Sequence, residues 1–130
     1  MSEIRHLPPE TLPRPNGYSH VVSAPLDRIL FISGQVPLDA EGQLVGVADV
    51  AAQARQVFEN LTRALEAADA TWSNVVKLAY FVRDVGEMPA VRSIRDEYID
   101  TEHPPASTLV EVSSLFRDDV LIEVDAVAVR

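Results

Sequence analysis

The C-terminal stretch Val120–Arg130, V-L-I-E-V-D-A-V-A-V-R, is an apolar run with two carboxylates, Glu123 and Asp125, near its middle. Side chains alternate between the two faces of a β-strand. One face would therefore hold Ile122, Val124, Ala126 and Ala128, and the other would hold both acids with Leu121, Val127 and Val129. Acids among apolar neighbours are solvated, paired, or held where a carboxylate acts chemically. The stretch predicts a strand of a sheet with one fully apolar face.

The bulk composition is that of a single globular domain. With 130 residues, 47% hydrophobic and 24% charged, the chain is long enough for one core. Its net charge of −9 argues against broad electrostatic binding to nucleic acid or to an anionic membrane. The absence of cysteine excludes disulfides, thiol nucleophiles and thiolate metal ligands. No segment could span a bilayer and no signal peptide is visible, so we expect a cytoplasmic protein.

Patterning along the chain predicts one domain over residues 1–130, in which the proline-rich residues 1–16 form an extended lead-in. Apolar alternation predicts strands over residues 18–24, 28–33, 75–83, 106–112 and 120–129. Three- and four-residue apolar spacing predicts a helix over 49–68 with Asp49 as its N-cap. A second helix is expected over 87–101, with Arg95 on a mixed face, ending before Pro104.

The predicted order is β-β-α-β-α-β-β, an α+β fold in which two helices cover one face of a mixed sheet. The covered face is expected to hold Val76, Leu78, Tyr80 and Val82 together with the apolar face of the last strand. The opposite face would still carry Ile29, Phe31, Ala79, Phe81, Leu121, Val127 and Val129. A bare apolar face of that size is a liability in a monomer, so we expect self-association through it. A site containing Glu123 would then lie at or near a subunit interface.

Several residues are candidates for chemistry. Glu123 could act as a general base, although spacing alone favours an acid paired across strands or across an interface. Asp125 lies roughly 7 Å further along the strand and is expected to be structural. Gly34 permits close approach of a ligand and Ser33 could contact it, but a serine there more often ends a strand. Tyr18 could donate to a substrate or simply pack with a wet tip.

Metal and phosphate sites are not expected. The three histidines, His6, His20 and His103, lack the spacing of metal ligands. The five glycines are dispersed and form no phosphate-binding loop.

Taken together, several segments resemble the RidA (YjgF) family over nearly the whole chain. They are Gly17–Ser19, Phe31–Pro37, Asp49–Gln56, Val75–Lys77, Pro105–Val112 and Ile122–Arg130. The motifs S-G-Q-x-P and I-E-x-(E/D)-A-x-A-V-R are the most specific of these. The resemblance implies a chorismate-mutase-like fold and a homotrimer with clefts between subunits, each able to hold a small molecule.

The resemblance also implies a reaction. The deaminase branch of the family hydrolyses reactive enamines and imines to ammonia and a 2-oxo acid without a cofactor. A glutamate on the last strand positions the water and an arginine binds the substrate carboxylate by two hydrogen bonds. By this resemblance Glu123, Tyr18 and Ser33 are the candidate catalytic residues, and Gly34 lies at the substrate.

The family arginine has no counterpart here. Where the deaminases have P-A-R-S-C-V-E-V, this chain has P-A-S-T-L-V-E-V over Pro105–Val112, which places Ser107 at the arginine. A hydroxyl offers a neutral hydrogen bond of about 1 kcal/mol, against roughly 1.5–3 kcal/mol for a charge-assisted one. Ser107 is the candidate substrate contact, and Arg14, near Tyr18 in sequence, is a candidate replacement cation. The substitution argues against standard 2-imino acid deamination.

Two classes of function remain open. One is a hydrolase of an imine, an enamine or a related small molecule, in which Glu123 holds the water. The other is a non-catalytic trimer that binds a small molecule for regulation. The ribonuclease activity sometimes attached to the family fits poorly with a net charge of −9.

Overall fold

The structure, a computed structural model, describes residues 4–7, 10–25 and 27–130. Its strands are β1 (Arg5–Leu7), β2 (Val21–Ser23), β3 (Ile29–Gln35), β4 (Val75–Val82), β5 (Ala106–Glu111) and β6 (Ile122–Val129). Its helices are α1 (Val50–Ala67) and α2 (Met88–Arg95), with short 3-10 turns at Trp72–Asn74 and Val85–Glu87.

Four strands form a mixed sheet in the order β3-β6-β4-β5. Strand β6 runs antiparallel to both β3 and β4, while β4 and β5 run parallel. The two helices pack on each other and α1 packs on the sheet. The predicted α+β fold, with two helices on a mixed sheet, is confirmed.

The N-terminal region differs in detail from the prediction. The strand expected over 18–24 is confined to β2, which pairs with β1 in a separate two-stranded sheet. Strand β1 itself lies within the expected lead-in. The physical reason lies at Ser19, whose N–H donates to the Pro105 carbonyl at 3.0 Å and whose hydroxyl donates to the Pro104 carbonyl. These bonds tie Ser19 to the segment that enters β5 and prevent it from extending β2.

The first helix agrees with its prediction and the second is shorter than predicted. Helix α1 begins at Val50, and the Asp49 carboxylate accepts from the Ala52 N–H at 3.1 Å, as an N-cap does. Helix α2 ends at Arg95 rather than near residue 101. Beyond it, the Glu97 and Tyr98 N–H groups donate to carbonyls three residues back, so the chain tightens into turns.

The helix-covered face of the sheet is the core. As predicted, Leu78, Tyr80, Val82 and the apolar set of β6 (Ile122, Val124, Ala126, Ala128) are buried. Val76 was expected there, but the pairing of β4 with β6 shifts between Val75 and Lys77, and this bulge turns Val75 inward instead. Val129, expected on the open face, is also buried.

The opposite face of the sheet is left open in the single chain. Phe31 is 79% exposed and Ile29 is 40% exposed, both on β3. Ala79, Phe81, Leu121 and Val127 are half-buried on the same side. The apolar surface predicted from the sequence is therefore present and uncovered in the described chain.

Candidate functional site

Glu123 lies in the middle of β6, directly opposite Phe81 of β4, and its side chain is half-buried on the open face. Burial raises its pKa, and the charge of Asp125 raises it further. Asp125 sits two residues along, opposite Ala79. A carboxylate with a raised pKa in an apolar setting is a better proton acceptor than an ordinary surface glutamate.

Gly34 lies against the Glu123 carboxylate. The pairing of β3 with β6 shifts between Ile32 and Gln35, so Ser33 and Gly34 form an irregular step in the strand. A Cβ built on Gly34 would come 2.7 Å from Glu123 Cδ and 2.9 Å from Cγ, and would contact Oε2 more closely still. Gly34 has no positive φ, so glycine is required here for space rather than for conformation. The structure thus brings Gly34 and Glu123 together, with Ser33 next to Gly34 in the same irregular step of β3.

Ser107 belongs to a different cavity. It is paired with Leu78 in the parallel β4–β5 ladder, and Leu78 faces the helices. Beside it is a cavity of about 260 Å³. The polar side chains that line this cavity are those of Asn16, Tyr18, Tyr80, Arg92, Arg95 and Ser107. The volume is below the roughly 300–1,000 Å³ of drug-sized pockets and suits a small molecule.

Tyr18 reaches this cavity because its neighbour Ser19 is bonded to the entry of β5. Its ring meets the His20 ring edge-on at a centroid distance of 5.2 Å, and His20 Nε2 contacts the Pro13 carbonyl at 2.6 Å. Tyr18 and Ser107 therefore share one cavity, as their predicted roles require.

The predicted site residues thus fall into two groups within one chain. Ser33, Gly34 and Glu123 form the first group, on the open face and the adjoining step of β3. Tyr18 and Ser107 form the second, at the cavity on the helix side, which no member of the first group lines. Arg14 belongs to neither group: it is exposed and lines a neighbouring cavity of about 630 Å³ that also contains Tyr18.

Sequence reasoning missed the two arginines of the Ser107 cavity as site residues. Arg92 and Arg95 are three residues apart on α2, so both project from the same side of the helix. The available signal was an arginine at position 95 on the mixed face of the predicted helix. Arg95 could be recognised as a site residue only from the position of Gly17, which lies against its guanidinium and which the sequence did not predict.

No group of three or more His, Asp or Glu side chains is arranged to hold a metal ion in residues 4–7, 10–25 and 27–130. Over the same ranges, neither helix is long and apolar enough to cross a membrane.

Two packed helices on a mixed sheet, with a half-buried glutamate on its last strand, define the class of protein. The chain belongs to the RidA (YjgF) family: the family model described as Endoribonuclease L-PSP matches residues 10–130. It is 38% identical over 114 residues to the 2-iminobutanoate/2-iminopropanoate deaminase of Salmonella typhimurium, covering 85% of this chain and 87% of the relative. It is 36% identical over 120 residues to the 3-aminoacrylate deaminase RutC of Acinetobacter baylyi, covering 92% and 93%.

A solved structure agrees over nearly the whole length. The crystal structure of the Rid family protein YyfB from Yersinia pestis superposes with a TM-score of 0.85 at 33% identity, covering 97% of this chain and 98% of that one. The family membership and the fold are therefore established together, and the relatives include imine and enamine deaminases.

Proposed function

We propose that this protein hydrolyses a reactive imine or enamine of a small molecule, releasing ammonia and a carbonyl compound without a cofactor. The observation that carries the proposal is the contact between Glu123 and Gly34. It holds a half-buried carboxylate of raised pKa beside bare backbone, where a water and a substrate can approach. The deaminases among the relatives support the reaction class.

The residues divide the reaction as follows. Glu123 accepts a proton from a water whose oxygen attacks the imine carbon, and the C=N bond becomes a C–N single bond. Glu123 passes that proton to the nitrogen, which also receives the proton of the newly added hydroxyl and leaves as ammonia while the C=O bond forms. Ser33 and Tyr18 donate hydrogen bonds that orient the substrate, and Gly34 leaves room for it.

The two groups of site residues would join between subunits of a homotrimer. The open sheet face, with Phe31 and Ile29 exposed, supports such an assembly because apolar surface of this kind is normally covered. Glu123 of one subunit would then meet Tyr18 and Ser107 of its neighbour in an intersubunit cleft that binds the small molecule.

Ser107 distinguishes this chain from the deaminases that carry an arginine at its position. With a hydroxyl there, a substrate carboxylate is not held from β5 as it is in those proteins. The alternative to catalysis is a trimer that binds a small molecule without turnover.

The deciding experiment measures ammonia release from freshly generated imines, with anionic and neutral examples, in the presence of the wild type and of Glu123→Ala. The proposal expects acceleration over buffer that Glu123→Ala abolishes. If neither protein accelerates any of the imines, the binding function replaces the enzymatic one. Ser107→Arg is the companion variant, and the proposal expects it to gain activity on 2-imino acids.

A further inference from the structure

The cavity beside Ser107 carries a positive charge that the reaction described so far does not use. Two guanidinium groups, those of Arg92 and Arg95, line it, and no acidic side chain does. Arg92 is half-buried, and its guanidinium makes no hydrogen bond or ion pair to any residue in the described part of the chain. Arg92 is therefore free to pair with an anion that enters the cavity.

Arg95 is held in place beneath a glycine. It is only 9% exposed; its Nε donates to Asp96 Oδ1 at 2.9 Å, and its Nη2 forms an ion pair with the same oxygen at 2.8 Å. Asp96 thereby engages the Nε–Nη2 edge of the guanidinium, and Nη1 donates no hydrogen bond to another side chain or backbone group that the structure describes. Gly17, at φ +80, covers the group so closely that a Cβ there would come 2.6 Å from Nη2. The guanidinium is therefore fixed before any ligand arrives.

A second buried polar group points to the same ligand. Tyr80 lines this cavity, and its buried hydroxyl oxygen lies near the Arg95 guanidinium without a hydrogen bond of full distance and angle to any described residue. Tyr80 itself is 2% exposed. A buried hydroxyl without a well-formed hydrogen bond is costly and rare, and Arg92, Arg95 and Ser107 line the same cavity as Tyr80. Burial raises the pKa of Tyr80, which keeps the phenol protonated as a donor, while the charge and the N–H groups of the nearby Arg95 oppose part of that shift.

We propose that Arg92 and Arg95 bind a small carboxylate in this cavity and so take over, from helix α2, the anion binding that Ser107 cannot provide on β5. The Tyr80 and Ser107 hydroxyls donate to the same group. A planar carboxylate matches the paired donors of a guanidinium, and the cavity of about 260 Å³ limits the ligand to a few heavy atoms. The inference rests on the proposed function in one respect: it takes the bound carboxylate to be the substrate, which would be an imine or enamine that bears a carboxylate.

The first test measures binding alone, so that it does not depend on turnover. The probe is pyruvate, with the neutral pyruvamide as its matched control, titrated into the wild-type protein by calorimetry or by NMR. The proposal expects pyruvate to bind and pyruvamide to bind at least tenfold more weakly. Arg92→Met should weaken pyruvate binding roughly 10- to 100-fold, since a charge-assisted contact is lost. Arg28→Met, an exposed arginine of the β2–β3 loop, is the matched control and should bind as the wild type does.

Arg95 needs a gentler substitution, because its removal empties a buried position. Arg95→Lys keeps the charge but loses the planar pair of donors, and should weaken pyruvate binding while the protein stays folded by circular dichroism. If the wild type binds pyruvate no better than pyruvamide, or if Arg92→Met binds pyruvate as tightly as the wild type does, the proposal is wrong.

Turnover separates this inference from the proposed function. The proposal expects Arg92→Met to lower kcat/KM for 2-iminopropanoate about 10- to 100-fold and to leave the neutral 2-iminopropanamide unchanged. If Arg92→Met lowers kcat/KM equally for both imines, or lowers it for neither, the arginine site is wrong, although hydrolysis by the protein is still supported. Arginine-dependent pyruvate binding without hydrolysis of any imine supports the site and contradicts the enzymatic function.

Discussion

Gly34 and Glu123 are in direct contact across the β3–β6 pair, and the Glu123 side chain leaves no room for a side chain at position 34. A Cβ at position 34 would come 2.7 Å from Glu123 Cδ, closer than carbon atoms approach without a shift. The carboxylate on the last strand therefore has its position determined by a neighbouring strand as well as by its own. Since Glu123 is the proposed base, this contact can be tested directly.

Gly34→Ala should displace the Glu123 carboxylate and lower imine hydrolysis at least tenfold, because a misplaced base loses its alignment with the water. Steady-state ammonia release measures the effect. Gly86→Ala is the control: its new Cβ meets only the exposed Asp84 carboxylate, at 3.1 Å, which can move aside. Full activity in Gly34→Ala would show that the position of Glu123 is not critical.

The activity should rise with pH through the raised pKa of Glu123, because only the ionised carboxylate can accept a proton. Burial is the main cause of that shift, and the Asp125 charge adds to it. Asp125→Asn removes the second cause and should move the acidic limb of the pH–kcat/KM profile to lower pH. A limb that stays in place in Asp125→Asn would mean that another group controls the profile.

The same raised pKa has a consequence for stability. A glutamate that binds its proton more tightly when folded stabilises the protein below its unfolded pKa, and that contribution is lost as the pH rises through the folded pKa. Glu123→Gln should therefore raise the melting temperature at neutral pH, with the gain vanishing in acid. Glu66→Gln, at an exposed position of α1, should change little at either pH. A lower melting temperature for Glu123→Gln at neutral pH would show that the half-buried Glu123 charge does not destabilise the folded protein.

Gln53 connects α1 to the entrance of β6. Its fully buried side chain donates from Nε2 to the Gly46 and Asp119 carbonyls at 2.9 Å each, and its Oε1 accepts from the Leu121 N–H at 2.8 Å. Gln53→Ala should lower the free energy of unfolding by about 3 kcal/mol, because each backbone group left unpaired in the interior costs roughly 1–3 kcal/mol. Urea denaturation measures this. Gln56→Ala, at a half-buried position on the same helix, should cost clearly less, and equal losses would contradict the role given to Gln53.

Phe31 should control assembly. At 79% exposed on the open sheet face, it is the residue whose replacement by a charge most directly opposes burial of that face. We expect Phe31→Asp to be monomeric and inactive by light scattering and ammonia release. Val47→Asp, which is equally exposed at 78% but lies in the loop before α1, should still assemble. A trimeric Phe31→Asp would place the interface elsewhere.

The sequence predicted best where a local period determines the outcome. The alternation of β6 placed Ile122 in the core and Glu123 on the open face, and apolar spacing gave α1 with its Asp49 cap. Prediction from the sequence failed where contacts between residues distant in the chain determine which side chains face the core. The bulge that turns Val75 inward depends on pairing with β6.

The candidate site was predictable only in part, for the same reason. Glu123, Gly34 and Ser33 were proposed from their motifs, and the pairing of β3 with β6 places Gly34 against Glu123. Arg92 and Arg95 could not be found in this way, since they line a cavity only because the fold brings Gly17 and Ser107 beside α2. Arg14 was chosen for its closeness to Tyr18 in sequence, and the fold directs it to the neighbouring cavity.

The central claim is that Glu123 of one subunit and the Tyr18 cavity of another form one site, and subunit complementation tests it most directly. Glu123→Ala and Tyr18→Ala chains, each assayed alone, should hydrolyse imines at nearly the buffer rate. The two variants are unfolded together in equal amounts and refolded as mixed trimers. About a quarter of the clefts should then be active, because each cleft needs an intact Glu123 from one subunit and an intact Tyr18 from its neighbour. A mixture that stays as inactive as the separate variants would contradict the intersubunit site.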